Sequence, residues 1–182
     1  MRSAPRNVIS RNTTSTVALD LNTAALRRRA KVLTPGLDIL RWYVGEPVEV
    51  QAYSNRMIWP ELEDPTTVAI YQFASGCIGK VTVTWVPVAP MPKLYNVAVY
   101  GSKATIWRDE ICLTGTHAFV PLPVTVPTDH SYAPEDRHFI DCLLAGKEPL
   151  ITALDGARSA AAVLVVKDAL RERRPVKIPQ IG

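Results

Sequence analysis

Dinucleotide-binding turns, metal-ligand spacings and membrane spans are all missing from this sequence. Its nine glycines form no Gly-x-Gly-x-x-Gly, so no glycine-rich turn at a helix start is there to cradle a pyrophosphate. Cysteine is scarce. Cys77, Cys112 and Cys142 lie 35 and 30 residues apart, with no Cys-x-x-Cys and no Cys–His cluster. That spacing gives no metal framework and no disulfide scaffold, and it predicts buried free thiols in a reducing cytoplasm. The longest apolar run, residues 160–166, ends at Lys167-Asp168 and is too short to span a bilayer. The N-terminus also lacks the apolar stretch of a secretory signal.

Acid is nearly absent from the beginning of the chain. Residues 1–31 hold seven Arg and Lys against the single acid Asp20, whereas the remainder carries 14 bases and 16 acids. The net charge of +4 therefore belongs to the first 31 residues, and the rest is near neutral. No aromatic residue lies among those positions to stack on bases, so a nucleic-acid partner is not expected. Residues 1–22 read as a disordered or atypical basic leader, whether a transit peptide or a chance extension. Residues 23–182 read as one domain, long enough to bury a core.

What is present is a succession of short periodic segments. Ala24, Ala25, Leu26, Ala30 and Leu33 suggest a helix from Asn22 or Thr23 to Leu33. The run from Thr34 to Val48 reads as a capped helix delivered into a strand. Thr34 is a good N-cap, Pro35 is tolerated in the first turn, and Gly45 suits a left-handed C-terminal residue. The period then changes to two. Val48, Val50 and Ala52 alternate with polar neighbours, and 66–73 and 78–86 form a hairpin across Ser75-Gly76. Strands follow at 94–100, 104–107 and 110–114, and the proline-broken stretch 118–127 belongs at a sheet edge. Helices are predicted over 134–144, with Phe139, Ile140, Leu143 and Leu144 as the buried face, and over 153–173. A short strand closes the chain at 176–178. These elements predict an α+β fold: a mostly antiparallel open sheet with helices packed on one face.

Several of these runs resemble, in order, the C-terminal domain of the glucose–fructose oxidoreductase and inositol dehydrogenase family (Gfo/Idh/MocA). They are Asp38 to Trp42 with Gly45-Glu46-Pro47-Val48, and Tyr71 to Gly79. Val97 to Ala104, Phe139 to Pro149, Leu154-Asp155-Gly156-Ala157 and Arg174 to Pro179 complete the set. The resemblance begins near Leu37, and it implies a truncated, remodelled or frame-slipped start. It also implies that complete members bind NAD or NADP on a Rossmann domain, whereas this chain binds no cofactor itself. Where the family has a proton-transferring histidine and, four residues earlier, an aspartate, this sequence has Pro35 and Lys31. Proline has no titratable group and cannot act as a general acid or base.

The resemblance thus implies the substrate-binding and oligomerisation domain of an NAD(P)-dependent sugar or polyol oxidoreductase, inactive alone. Whether this chain is itself an enzyme stays open at this stage. The alternative is a non-catalytic binding or scaffolding module that uses the sheet face. Either way, the partner expected at that face is a second copy or a Rossmann-containing chain, with Val81, Val83, Trp85, Val97 and Val99 on its surface.

Asp38, Trp59, Lys80 and Arg108 are the candidate substrate-binding residues for a sugar-like molecule. Asp38 is retained from the family pattern, and Trp59 lies on a proline-flanked loop. Lys80 and Arg108 are cations able to reach the ligand side. Trp42, Trp85 and Trp107 fall in regular elements and read as packing residues. His138 and Asp141 share a helical face, but the histidine reads as a surface residue. His117 and His130 are assigned no role, and Ser75-Gly76 is a turn rather than a nucleophile elbow. No catalytic or metal-binding residue is assigned.

Overall fold

The structure, a computed structural model, describes residues 16–22, 30–55, 66–84, 95–123 and 132–182. Its elements run β1 (Thr16–Asn22), α1 (Ala30–Val44), β2 (Pro47–Asn55), β3 (Thr66–Phe73), β4 (Ile78–Thr84) and β5 (Tyr95–Tyr100). They continue with β6 (Ala104–Trp107), β7 (Glu110–Leu113), β8 (Val120–Pro121), α2 (Ala133–Leu144), α3 (Ala153–Glu172) and β9 (Val176–Lys177). The strands form one sheet in the order β8-β7-β6-β5-β1-β4-β3-β2-β9. Every neighbouring pair is antiparallel except β1 with β4, which run parallel. The α+β class expected from the sequence is the class observed.

Periodicity explains the core. Leu33, Leu37, Leu40 and Val44 recur at helical spacing along α1, and all four are buried. On the strands the inward set has period two. Val50 and Ala52 on β2, Ala69, Tyr71 and Phe73 on β3, and Val81 and Val83 on β4 line the face that α1 and α3 cover. Ala162, Val163, Val166 and Ala169 of α3 complete the same cluster. Gly79 shows how close the layers approach. A Cβ there would lie 2.8 Å from Phe73 Cε2 and 2.9 Å from Leu40 Cδ1, so any side chain would force the Phe73 ring or Leu40 to shift.

The structure differs from the sequence reading in five places. First, Thr16–Asn22, assigned to the leader by composition, pair as β1 in the middle of the sheet. A lone strand surrounded by polar residues shows too short a pattern to stand out. Second, α1 does not start at a Thr34 cap. It begins at Ala30 and runs through Pro35, which offers no N–H to the carbonyl of residue 31. The helix expected over 22 or 23–33 falls partly on residues outside the described set. Third, Val81, Val83, Val97 and Val99 are not on the open face. They pack beneath the helices, and the open face carries Ile70, Ile78, Lys80 and Thr82 instead, because alternation fixes two faces without saying which is covered. Trp85 lies outside the described residues.

Fourth, α2 does not bury the apolar face expected of it. Phe139, Ile140, Leu143 and Leu144 are exposed and only Cys142 is buried, since α2 packs on no other described element to the extent that α1 and α3 do. Trp42 and Trp107, read as packing residues, are likewise exposed, and Trp42 lies tilted against Tyr43 with ring centroids 6.2 Å apart. Fifth, all three thiols are free and Cys77 and Cys142 are buried, but Cys112 is only half-buried. No helix among the described residues is long and apolar enough to cross a membrane.

Candidate functional site

The polar centre of the described structure lies where α1 meets α3. Arg41 sits on the inward side of α1, one helical turn after Asp38, so its guanidinium must find partners or be stranded. It finds four. Its Nε and Nη2 donate to the two carboxylate oxygens of Glu46 at 3.0 and 2.7 Å, a bidentate pair. Its Nη1 donates to Ser159 Oγ at 2.5 Å, to the Asp155 carbonyl at 2.9 Å and to Asp38 Oδ1 at 3.3 Å. Ser159 in turn donates to Asp38 Oδ1 at 2.6 Å. One side chain thereby ties the start of β2 and the first turns of α3 to the middle of α1.

Local sequence sets each partner. Gly45, at φ 94°, ends α1 in the left-handed conformation, and its N–H reaches the Arg41 carbonyl at 2.9 Å. The chain then turns so that Glu46 comes back over the guanidinium and Pro47 opens β2. On α3, Thr152 and Asp155 form a reciprocal capping box: each side chain takes the other's backbone N–H, at 3.0 and 3.2 Å. That box fixes the first turn, from which Ser159 projects one turn later.

The electrostatics follow. Burial pulls the Arg41 pKa down, but the hydrogen bond and charge of Glu46, then the charges of Asp38 and Asp155, outweigh it, so the net displacement is upward. The Asp155 carboxyl is held below its ordinary value, first by the Thr152 backbone N–H and then by the Thr152 hydroxyl. Tyr71 lies fully buried on β3, and burial pushes its phenol well above the usual range.

The sequence-selected residues do not converge. Asp38 is on α1, with a side chain 44 % exposed against 6 % for Arg41, and among the described residues only its Oδ1 is bonded. Lys80 lies between Gly79 and Val81, which face α1, so alternation turns it to the opposite face of the sheet. Arg108 is exposed in the two-residue turn between β6 and β7, at φ 59°. Trp59 is outside the described residues, as is His130. His138 is exposed, as expected. Its Nε2 accepts from the Leu150 N–H at 3.1 Å and lies 3.7 Å from Cys142 Sγ. His117 stands exposed at φ 53°. Among the described residues no cluster of His, Cys, Asp and Glu could hold a metal ion.

Sequence reading missed Arg41, Glu46 and Ser159 as a unit. The local signal was there, in Asp38 and Arg41 three residues apart and in the Gly-Glu-Pro that follows. Ser159 is 118 residues from Arg41, and only the fold reveals it. A groove of about 340 Å³ adjoins the cluster, lined by Glu46, Pro47, Arg158 and residues 178–182. Two donors that border it are taken by the chain's own carbonyls: Arg158 Nε by Ile181, and Gln180 Nε2 by Pro47 and Ile178.

A pyrophosphate is favoured at a helix N-terminus that carries no negative charge. Among the described residues α2 carries Glu135 and Asp136 in its first turn and the start of α3 is closed by the Asp155 box, so neither helix start suits that group, whereas the first turn of α1 carries no acid.

Comparison with known proteins places these features. Residues 36–107 match the family described as GFO/IDH/MocA C-terminal domain. No curated protein matches the sequence. Among solved structures, levoglucosan dehydrogenase in complex with NADH and L-sorbose is similar, with a TM-score of 0.74 at 15% identity over 92% of this chain and 58% of that one. The aldose-aldose oxidoreductase from Caulobacter crescentus complexed with glycerol gives 0.69 at 21% identity, over 90% and 55% of the two chains. The WlbA dehydrogenase from Bordetella pertussis, in complex with NADH and UDP-GlcNAcA, gives 0.67 at 19%, over 91% and 57%. This chain therefore spans a little over half the length of those solved proteins. Such low identities speak for the fold, and the family match speaks for the sequence. Asp38, Arg41, the Gly-Glu-Pro turn and strands β2 to β6 thus lie in the segment that matches a Gfo/Idh/MocA C-terminal domain, and the chain shares the fold of these solved structures.

Proposed function

We propose that this chain is the substrate-side domain of an NAD(P)-dependent sugar or polyol oxidoreductase, one that binds and orients without performing redox chemistry itself. The observation that carries the reading is the family match over residues 36–107, together with the position of Pro35. There the family resemblance expects a histidine able to move a proton, and proline has none to give. The nicotinamide would supply hydride transfer from a separate dinucleotide-binding domain, and a reducing cytoplasm suits the three free thiols.

In this reading Asp38 is the residue that meets the ligand. Its Oδ1 is pinned by Ser159 and Arg41, which holds the carboxylate in one orientation while the rest of the group stays open to solvent. A carboxylate fixed in this way accepts well from a sugar hydroxyl. Trp59 and Arg108 remain candidate ligand contacts from loops. Lys80 cannot join Asp38, because the sheet lies between them.

The test is ligand-observed NMR on the pure chain with a panel of hexoses and polyols, alongside NADH fluorescence. Saturable sugar binding that weakens several-fold in Asp38→Asn, with no NADH signal and no turnover, supports the reading. Steady NADH production from any of these sugars would overturn it, as would a panel with no binder.

A second reading, a binding or scaffolding module, is favoured by the open sheet face, where Tyr53, Ile70, Ile78, Tyr100 and Trp107 are exposed. Light scattering after size-exclusion chromatography tests it. A strictly monomeric chain across micromolar concentrations would argue against association through that face.

A further inference from the structure

We propose that the gap between β4 and β5 is a strand-acceptor slot, and that the Thr16–Asn22 strand of a second copy of this chain can fill it, giving a strand-exchanged dimer. The topology carries the argument. Without β1 the remaining strands make two four-stranded antiparallel ladders, β9-β2-β3-β4 and β5-β6-β7-β8, with no pairing between β4 and β5. Within them every neighbouring pair except β2–β9 joins strands consecutive in the chain. Both ladders can therefore form from local contacts, and β1 alone bridges them.

β1 is also the strand whose own pairing is least local. Thr16 pairs with Ile78 and with Tyr100, so two long loops must close before it docks, one of them for a parallel pair. Such pairings form slowly. Until they form, β4 presents seven residues of open backbone edge and β5 presents six. Unpaired edges of this kind recruit any matching strand.

What the slot selects is this chain's own segment. It asks for a strand parallel to β4 and antiparallel to β5 at once. Val17, Leu19 and Leu21 fall at the register positions of Gly79, Val81 and Val83 on one side, and Val17 and Leu19 at those of Val99 and Val97 on the other. Residues 79, 81, 83, 97 and 99 all belong to the helix-covered side. Asp20, between them, falls beside Thr82 and Asn96. Nothing in this ladder depends on the strand belonging to the same molecule. Seven residues, 23–29, separate β1 from α1 in the chain, a contour length of up to about 25 Å. Each copy gives one strand and receives one, so the exchange closes as a two-fold dimer rather than a fibre.

Disulfide trapping on the full chain tests the proposal. Ala18 and Ala98 are register partners across β1 and β5. Two differently tagged variants, Ala18→Cys and Ala98→Cys, are mixed, unfolded, refolded together and oxidised. The expected result is a disulfide-linked heterodimer of about twice the 20.0 kDa chain mass, whose yield rises with protein concentration and which neither variant forms alone. The double variant reports on the slot itself by linking β1 to β5. A mixture that yields no heterodimer, while the double variant closes its link within one chain, would overturn the exchange. A double variant that forms no link in either mode would overturn the slot.

Discussion

The two ends of the sheet are built from similar short antiparallel ladders, yet they are covered very differently. At the β2–β4 end, α1 and α3 lie across the strands, and Leu37, Leu40, Val50, Ala69, Tyr71 and Val81 lose all contact with solvent. Beyond β5 the strands shorten to four and then two residues, and Leu113, Phe119 and Val120 stay exposed. The helices show the same split. Arg41 binds α1 to α3, whereas α2 keeps Phe139, Ile140, Leu143 and Leu144 in solvent. An apolar pattern therefore names an element, but only a covering layer turns it into stability.

Substitutions matched across the two ends measure that difference. The largest loss is expected for Leu37→Ala, at about 3–4 kcal/mol, because a fully buried side chain leaves a cavity beneath α1. Urea unfolding followed by circular dichroism would read it, and a loss under 1 kcal/mol would mean that the covered end is loosely packed. Next comes Arg41→Ala, at about 3 kcal/mol, since it removes the donor to Ser159 and the Asp155 carbonyl and leaves Asp38 and Glu46 without their shared cation. If the variant melts like the parent, the cluster is ornamental.

Thr152→Ala should cost about 1 kcal/mol through loss of the capping box. Its partner gives a pH signature. The Asp155 pKa is depressed from an ordinary 3.8, so its contribution is complete above that value and disappears as pH falls through the lower, folded one. Asp155→Asn should therefore narrow the gap between melting temperatures at neutral and acid pH, by lowering the neutral value and leaving the acid one nearly unchanged. The smallest effect is expected at the uncovered helix. Leu144→Ala, at a fully solvated position, should stay within about 0.5 kcal/mol of the parent. A large loss there would show that α2 is covered in solution after all.

How much of this was legible beforehand depended on the range of the interactions. The hairpin of β3 and β4, the edge position of β8, the left-handed Gly45 and the start of α3 all rest on neighbours within a few residues, and each was readable. Pro35 misled, because its preference for a first turn is only local and the packing of Leu33 with Leu37 and Leu40 carried the helix back past it. Asp38 was singled out from its own short run, but its tether to Ser159 crosses 121 residues and left no local trace. Asp38 and Lys80 were both named as ligand contacts, on separate grounds, and the sheet lies between them.

Sequence alone determined most of the segments from β2 onward that become helix or strand, because backbone propensity and hydrophobic period are properties of short stretches. It also determined that position 35 of α1 carries no titratable group, since proline has none. Tertiary structure decided which side of each strand faces inward, which helix is covered, and that residues 16–22 complete the sheet. Those outcomes depend on segments far apart in the chain meeting in space, and burial of shared surface, not local preference, selects among them.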